Sequence, residues 1–395
     1  MATDRSHIGH STREPARLTE RAQIERARRV VIKIGSSSLT GEGGQLRHDV
    51  IHSLAASVSA LVRRGHDVVI VSSGAIAAAL GPMGLTARPR NVASQQAAAS
   101  IGQGLLIAAY TRAFGEHSVH VGQVLLTEAD VISSETYRNV RGSLEALLEL
   151  RVVPIVNEND TTATHEIRFG DNDRLASLVA QAIGADLLVL LTDVDGLFTA
   201  PPNQPGARRV PEVPDAARLE GVSIGAVGTS VGTGGMVTKL SAAHNAAITG
   251  TATVLTLPEN FARVMAGEDC GTFFPARAGR RRSRLMWLRY ATRGSGSLVL
   301  DDGAVAAVTL RRTSVLPVGI IDVRGDFPEG VPVDIEAADG TVVARGLSHF
   351  SAEDIRRMRG ANTDDLRARL GEEFARVVIH RDDLVVLKRE ASASR

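Results

Sequence analysis

The chain has 395 residues, 44% of them hydrophobic, so it is long enough to bury a sizeable core and to form two or three domains. Lysine and arginine (45) balance aspartate and glutamate (44), which excludes a global electrostatic field directed at nucleic acid or membranes. The single cysteine, Cys270, excludes an intramolecular disulfide and is interpreted as a small hydrophobic residue in a reducing compartment.

The first 27 residues are polar and rich in arginine, and they lack the apolar region of a secretory signal. This composition predicts a disordered or loosely helical extension over residues 1–27. No later apolar run reaches the roughly 18 residues of a membrane span. We therefore expect a cytoplasmic protein without a membrane partner.

Four short apolar runs follow, and each is typical of a strand buried on both faces: VVIKI from Val30, VVIV from Val68, VVPIV from Val152 and LLVLL from Leu187. Segments of helical period occur around them, at 50–65, 94–114, 139–150 and 174–184. This alternation predicts an α/β fold with a doubly wound, mostly parallel sheet sandwiched by helices. Each run ends in Gly, Ser, Thr, Asn or Asp, so a ligand crevice is expected at the carboxyl ends of the strands.

Two glycine-rich stretches flank this region, GSSSLTGEGG from Gly35 and GTSVGTGG from Gly228. The second leads directly into a predicted helix at 236–248, where backbone N–H groups favour phosphate. Neither stretch is a Walker A motif or a dinucleotide fingerprint.

Two lysines give further support for a phosphate-binding site near these glycines. Lys33 lies inside an apolar strand, where an unpaired ammonium would be costly to bury, so it is expected to face an anion. Lys239 lies one turn into the helix after the glycines, and the alternative for it is an ordinary exposed helix lysine.

The segment NENDTTATHEIRFGDND, residues 157–173, is polar in an otherwise aliphatic region. One interpretation is that Asp171, Asn172 and Asp173 cap the helix that follows. The spacing excludes an EF-hand. Because His165 and His244 lack paired ligand spacing, they are interpreted as ordinary polar residues.

These motifs, together with SSGAIAAALG from Ser72 and TDVDGLFTA from Thr192, resemble in order and spacing those of the glutamate 5-kinases within the amino acid kinase family. The similarity extends over residues 28–275. It implies transfer of the γ-phosphoryl group of ATP, with Mg²⁺, to the side-chain carboxylate of L-glutamate. The product would be L-glutamyl 5-phosphate, in the first step of proline biosynthesis.

The resemblance also implies roles for residues. Lys33 and Lys239 would contact the transferring phosphoryl group, and Asp173 would fix both ammonium groups. Glutamate would be bound by Ser73, Asn157, Asp160 and Asn172. ATP would be bound by Lys33, Gly35, Ser36, Thr192, Asp193, Thr233, Gly234, Gly235, Met236 and Lys239. No residue is predicted as a metal ligand. A glutamate side chain, with a pKa near 4.3, is already ionised at neutral pH, so the reaction requires no general base.

The remainder of the chain has a different pattern. From residue 283 to 390, short β-like runs separated by turns predict a small β-rich domain, joined to residues 28–275 by a basic linker at 276–282. Several of its stretches resemble the PUA domain found in bacterial glutamate 5-kinases. Seven arginines and no acid occur between Arg277 and Arg293, with Trp287 and Tyr290 among them, a composition suited to RNA. The favoured interpretation is that these arginines solvate a domain junction or pair with acids elsewhere.

Two alternatives stand beside a glutamate kinase. One is a kinase of the same fold that acts on another carboxylate, such as aspartate or acetylglutamate, against which the NEND and GDND pair and the β-rich tail argue. The other is an RNA-binding protein with an inactive or regulatory kinase-like domain, against which Lys33, Lys239 and Asp173 argue. The resemblance further implies a homo-oligomer, dimer or tetramer, and feedback inhibition by proline.

Overall fold

A seven-stranded sheet forms the centre of the larger part of the chain. The computed structural model describes residues 16–41, 44–127, 130–131, 134–161, 172–215, 235–277, 288 and 294–387. The sheet has the order β3-β4-β2-β1-β5-β8-β9, and all neighbours are parallel except the antiparallel pair β8 and β9. Its strands are β1 Arg29–Ile34, β2 Asp67–Val71, β3 Val121–Leu126, β4 Val153–Glu158, β5 Leu187–Leu191, β8 Ala252–Thr256 and β9 Thr272–Phe274. A two-stranded hairpin follows β5, with β6 Leu197–Phe198 and β7 Arg209–Val210.

Helices cover both faces of this sheet. They are α1 Ser36–Leu39, α2 His48–Arg63, α3 Ala75–Leu80, α4 Val92–Gly115, α5 Ser134–Glu149, α6 Asn172–Ile183, α7 Met236–Ile248 and α8 Phe261–Met265. Alternate strand residues face opposite sides, so Val30 and Ile32 join an apolar cluster with α2, α4 and α8, whereas Val31 joins one with α5, α6 and α7. The predicted doubly wound architecture is confirmed.

The four predicted strands are all present, and the helix predicted at 236–248 is α7. The edge strand β3 was not among the predicted strands. It contains Gly122 and Gln123, and Leu126 is its one buried residue, so it lacks the continuous aliphatic run of an interior strand.

Of the extension expected to be disordered or loosely helical, the structure describes residues 16–27, and these are not disordered. This segment contains a 3₁₀ helix, Arg21–Arg26, and buries Leu18 and Ile24 against the sheet cluster. Arg21 also donates hydrogen bonds to the carbonyls of Pro211, Cys270 and Gly271. A few apolar residues at suitable spacing are therefore enough to fix a segment that is polar overall.

Asp186 connects this segment to the sheet. Its carboxylate is fully buried at the start of β5 and accepts backbone N–H groups from Ala16 at 2.6 Å, Arg28 at 2.7 Å and Arg29 at 2.9 Å. Three backbone donors compensate the burial of this charge.

The carboxyl-terminal part contains a separate five-stranded sheet of order β11-β10-β12-β13-β14. Its strands are β10 Ser297–Leu300, β11 Ile320–Arg324, β12 Pro332–Glu336, β13 Val342–Leu347 and β14 Leu384–Val386. Within residues 294–387, three α-helices accompany it, α9 Asp302–Thr309, α10 Ala352–Met358 and α11 Thr363–Leu370. It has an apolar cluster of its own, as expected for a second domain. Among the described helices of the whole chain, none is long and apolar enough to cross a membrane.

Candidate active site

Three charged side chains meet at the carboxyl edge of the larger sheet. Lys33 Nζ lies 2.5 Å from Asp173 Oδ1, and Lys239 Nζ lies 3.1 Å from Asp173 Oδ2. The exposed fractions are only 3% for Lys33, 0% for Asp173 and 8% for Lys239. The structure thus brings together the three residues that the sequence predicted as catalytic, and each oxygen of one carboxylate binds one ammonium group.

Each member of this triad comes from a different element. Lys33 is near the end of β1, Asp173 is in the first turn of α6, and Lys239 is in the first turn of α7. Thr238 Oγ1 donates a further bond of 3.1 Å to Asp173 Oδ2. Lys239 is therefore not the exposed helix lysine that composition alone allowed.

Two glycines lie in the loops at this edge of the sheet. A Cβ atom on Gly35 would lie 3.7 Å from Lys33 Nζ. Gly74 has φ +89°, and a Cβ there would lie 3.6 Å from the Cα and Cβ of Ser36. The loop after β1 and the turn after β2 therefore pack closely, which places Ser36 and Ser73 at the same edge of the sheet.

A cluster of amides lies beside the triad. Asn172 Nδ2 donates to the Ser72 carbonyl at 2.6 Å, to Asn157 Oδ1 at 2.8 Å and to Ser73 Oγ at 3.1 Å. Asn157 and Asn172 are both buried. The structure thus joins three of the four residues predicted to bind the substrate, Ser73, Asn157 and Asn172, because β2, β4 and α6 end or begin at one edge.

The capping interpretation for this region does not describe Asn172 and Asp173. Their side chains bind Ser72, Asn157 and the two lysines, which lie on other elements. Asp171 lies outside the described residues, and so does His165. Asp160 follows β4 by two residues and is half-buried.

The predicted ATP residues occupy the adjoining strand ends. Thr192 follows β5, is buried, and donates to Asp193 Oδ1 at 2.9 Å, whereas Asp193 is exposed. Gly235 and Met236 are at the start of α7, and a Cβ on Gly235 would meet nothing within 4 Å among the described atoms. Thr233 and Gly234 lie outside the described residues.

Three residues that organise this edge, Asp195, Tyr110 and Gln103, were not predicted as site residues from the sequence. Asp195 Oδ1 accepts from Thr256 Oγ1 and Asn260 Nδ2, both at 2.8 Å, and from the Gly271 N–H at 3.1 Å, which fixes the loop after β5. Tyr110 shares a hydrogen bond of 3.2 Å with Ser72 Oγ, and burial raises the pKa of its phenol. Gln103 Oε1 accepts from Asn157 Nδ2 at 2.7 Å. Asp195 lies in TDVDG and Gln103 lies in SQQAAASIGQGLL, and both stretches follow the family pattern, whereas Tyr110 carried no signal.

The described residues contain no group of three or more His, Cys, Asp or Glu side chains arranged to hold a metal ion. His244 lies in α7, where burial lowers the pKa of its imidazole.

In the basic linker, Arg277 forms an ion pair of 2.7 Å with Asp215, in line with the pairing expected for linker arginines. The other arginines between residues 277 and 293 lie outside the described residues.

Comparisons with known proteins agree with this geometry. A model of the amino acid kinase family matches residues 28–256, and a model of the PUA domain matches residues 296–370. The glutamate 5-kinase of Thermobifida fusca is 50% identical over 377 residues, which covers 95% of this chain and 97% of that protein. The glutamate 5-kinase of Streptomyces coelicolor is 51% identical, with 93% and 98% covered, and that of Frankia casuarinae is 53% identical, with 91% and 97% covered.

A solved structure of carbamate kinase from Giardia lamblia bound to AMP-PNP covers 64% of this chain and 99% of its own, at 17% identity and a TM-score of 0.47. A likeness of this size says nothing about function.

Proposed function

The chain belongs to the amino acid kinase family, and from that premise we propose that it transfers the γ-phosphoryl group of ATP to the side-chain carboxylate of L-glutamate. The product is L-glutamyl 5-phosphate, and the reaction is the first step of proline biosynthesis. Relatives named glutamate 5-kinase that are about half identical over more than 90% of this chain support the choice of substrate. The observation that carries the chemistry is the buried Lys33–Asp173–Lys239 triad.

The proposed reaction is a direct displacement at phosphorus. An oxygen of the glutamate side-chain carboxylate forms a bond to the γ-phosphorus of ATP. The bond from that phosphorus to the β–γ bridging oxygen breaks, and its electron pair leaves with ADP. Because the carboxylate is already ionised at neutral pH, no proton is removed from it and no general base is required.

The triad fits the electrostatic demand of this reaction. Two anionic reactants must approach each other, and negative charge is spread over the oxygens of the transferring group. Two ammonium groups beside one carboxylate leave a net positive charge in a site that is almost closed to water. Asp173 holds both lysines in place before the substrates arrive, so little reorganisation is needed during transfer.

The amide cluster fits recognition of the amino acid. We assign glutamate binding to Ser73, Asn157, Asp160 and Asn172. Amide and hydroxyl groups fixed by hydrogen bonds to one another offer donors and acceptors at set positions. The carboxylate of Asp160 suits the α-ammonium group of the substrate.

We assign the nucleotide to the strand ends on the other side of the triad. Gly35, Ser36, Gly235 and Met236 would surround the phosphates, with Thr233 and Gly234 preceding them, and Thr192 and Asp193 would contact the rest of the nucleotide. Both oxygens of Asp173 are engaged by lysines. Mg²⁺ would therefore be held mainly by phosphate oxygens and water, as is common for ATP sites, and would neutralise phosphate charge.

Further features of the proposal concern assembly and control. We propose a homo-oligomer, dimer or tetramer, since Ile101 and Leu105 on α4 are exposed apolar residues. We propose inhibition by proline at a site overlapping the glutamate residues. A reaction that consumes ATP and an amino acid suits the cytoplasm. We also propose residues 28–275 and 283–390 as the limits of the two domains.

Acyl-phosphate formation tests the function directly. The protein is incubated with Mg-ATP and hydroxylamine, which traps acyl phosphates, and with L-glutamate, L-aspartate or N-acetylglutamate. We expect turnover with glutamate alone, and its loss in Lys239→Ala with an unchanged circular dichroism spectrum. Turnover with another acid would keep the chemistry and overturn the substrate, and no turnover with any of the three would contradict a kinase and favour the RNA-binding alternative.

A further inference from the structure

Three buried amides form a continuous chain of hydrogen bonds into the candidate substrate site. Asn172 Nδ2 donates to Asn157 Oδ1 at 2.8 Å, and Asn157 Nδ2 donates to Gln103 Oε1 at 2.7 Å. Gln103 is on α4, with an exposed fraction of 9%. This series of hydrogen bonds therefore links α4, which contributes no predicted site residue, to the two asparagines of the proposed glutamate site.

The backbone fixes the direction of every bond in this chain. The Ser72 carbonyl only accepts, so the Asn172 atom that lies 2.6 Å from it is the nitrogen. The Asn157 atom that meets this nitrogen is then an oxygen, and the Glu158 N–H, which donates to it at 2.9 Å, requires the same. Asn157 therefore donates from its side-chain nitrogen to Gln103, and the Gln103 atom that accepts this bond is the oxygen.

With the bonds in these directions, Gln103, the last amide of the hydrogen-bonded series, has its N–H donor group left over. Gln103 Nε2 is buried and has no hydrogen-bond partner within the part of the chain that the structure describes. A buried amide N–H without an acceptor is unfavourable, so a site that contains one gains free energy from a ligand that supplies an oxygen. An amino acid supplies carboxylate oxygens.

From this arrangement we infer that Gln103 is a substrate-positioning residue, which orients Asn157 and Asn172 through its oxygen and donates from Nε2 to a carboxylate oxygen of the bound amino acid. This inference rests on the proposed function. It adds a specificity element that favours an acceptor of hydrogen bonds at this point of the substrate.

The placement of α4 supports a precise role for Gln103. At the preceding residue, Gly102, a Cβ atom would lie 1.7 Å from the Ala75 carbonyl oxygen, so α4 and the start of α3 are in close contact there. Tyr110, two turns further along, bonds Ser72. Ser100 Oγ lies 3.3 Å from Thr161 Oγ1, in the segment after Asp160. The helix is thus held against the same segments that carry the proposed glutamate residues.

Two variants separate the oxygen of Gln103 from its nitrogen. Gln103→Glu keeps an acceptor for Asn157 but replaces the donor with a second acceptor and a charge, whereas Gln103→Met removes both groups at similar size. Gln95→Met is the matched control, because Gln95 is on the same helix and donates to the Pro89 carbonyl at 2.8 Å. Initial rates with Mg-ATP give KM for the amino acid and for ATP, and urea unfolding gives the midpoint for each variant.

We expect KM for glutamate to rise on the order of tenfold in Gln103→Met and on the order of a hundredfold in Gln103→Glu, since the latter opposes a carboxylate with a carboxylate. KM for ATP should change less than about twofold, a margin below the effect of one hydrogen bond. Lowering the pH from 8 to 6 should reduce the defect of Gln103→Glu, because the added carboxyl group becomes a donor when protonated. Gln95→Met should match the wild type.

Several results would overturn the inference. Near wild-type KM for glutamate in Gln103→Glu would remove the donor role, and the same result in Gln103→Met would remove the positioning role as well. Equal rises in both KM values with a lowered unfolding midpoint would show a merely structural residue. If the wild type phosphorylates a different acid, the proposed substrate fails and the same variants test Gln103 with that acid. If it phosphorylates none, both proposals fall.

Discussion

The Lys33 ammonium and Asp173 Oδ1 are 2.5 Å apart in a place where both side chains are almost completely buried. Neither charge can be left alone there without a large desolvation cost. Asp173 also binds Lys239, so this one carboxylate supports the geometry of two cations. The stability of the fold and the proposed chemistry therefore depend on the same atoms, and substitutions at the triad separate the two.

Asp173→Asn should lower both activity and stability. The neutral amide removes the negative charge of Asp173 from beside two buried ammonium groups, so the free energy of unfolding should fall by about 3–5 kcal/mol. We expect kcat to fall at least about a hundredfold, because the lysines lose their fixed positions. Urea unfolding and the hydroxamate assay measure the two effects. Asp67→Asn is the control, since Asp67 pairs with Arg29 at 2.9 Å at the opposite edge of the sheet. Full activity in Asp173→Asn would contradict the role of the triad.

Lys33→Met should lower activity strongly and change stability little. Asp173 keeps its bonds to Lys239 and Thr238, and a buried ion is replaced by an apolar side chain of similar length, so stability should change by less than about 1.5 kcal/mol. kcat should nevertheless fall on the order of a thousandfold, since one of two cations facing the phosphoryl group is lost. A stable variant with normal kcat would show that Lys33 is a structural cation only.

Gly102→Ala should destabilise the protein, whereas Gly104→Ala on the same helix should not. A Cβ at Gly102 would lie 1.7 Å from the Ala75 carbonyl oxygen, so α3 and α4 must separate, at a cost of about 1–3 kcal/mol or more. A Cβ at Gly104 meets nothing within 4 Å among the described atoms, and the gain in helix propensity should stabilise by roughly 0.5–1 kcal/mol. Chemical denaturation gives the unfolding midpoints of the two variants. Equal midpoints would contradict close packing of α3 against α4 at Gly102.

Asp195→Ala should weaken ATP binding without affecting glutamate. The substitution removes the acceptor shared by Thr256, Asn260 and Gly271, which releases the loop that carries Thr192 and Asp193. KM for ATP should rise about tenfold, equivalent to about 1.4 kcal/mol. Asp195→Asn retains an oxygen at this position and should lie between Asp195→Ala and the wild type. A matching rise in KM for glutamate would argue against a separate nucleotide loop.

A chain that begins at Arg28 should be less stable than one that begins at Ala16. The shorter chain loses the burial of Leu18 and Ile24, each contributing about 1.5–3 kcal/mol, so its free energy of unfolding should be lower by about 3–6 kcal/mol. Denaturation of the two chains side by side makes the comparison. Equal stabilities would mean that residues 16–27 lie on the surface without supporting it.

Much of the fold follows from local patterns. The runs that became β1, β2, β4 and β5 are aliphatic because both faces of each strand are covered, and the glycines before Met236 mark the start of α7. Their polar endings predicted the edge of the sheet at which the candidate site lies. The edge strand β3 escaped prediction because only part of it is buried.

The candidate site was predictable in its charged members and not in its supporting residues. Lys33 is conspicuous because a charge inside an aliphatic strand needs an explanation. Gln103 is not, because a glutamine within an alanine-rich helix is ordinary until the partner 54 positions away is known. Likewise, the burial of Leu18 and Ile24 depends on a surface that the sheet creates, and no window of sequence contains that surface.

The buried carboxylate of Asp186 has a consequence for the order of folding. Its hydrogen bonds go to backbone groups of Ala16, Arg28 and Arg29, which are made early on the ribosome, whereas Asp186 itself is made much later. The first strand and the segment before it therefore cannot acquire their final bonds until nearly half of the chain has been synthesised. Contacts of such long separation slow folding and leave early segments exposed to wrong partners. Residues 16–29 can therefore complete these backbone hydrogen bonds only after the chain up to Asp186 has been made.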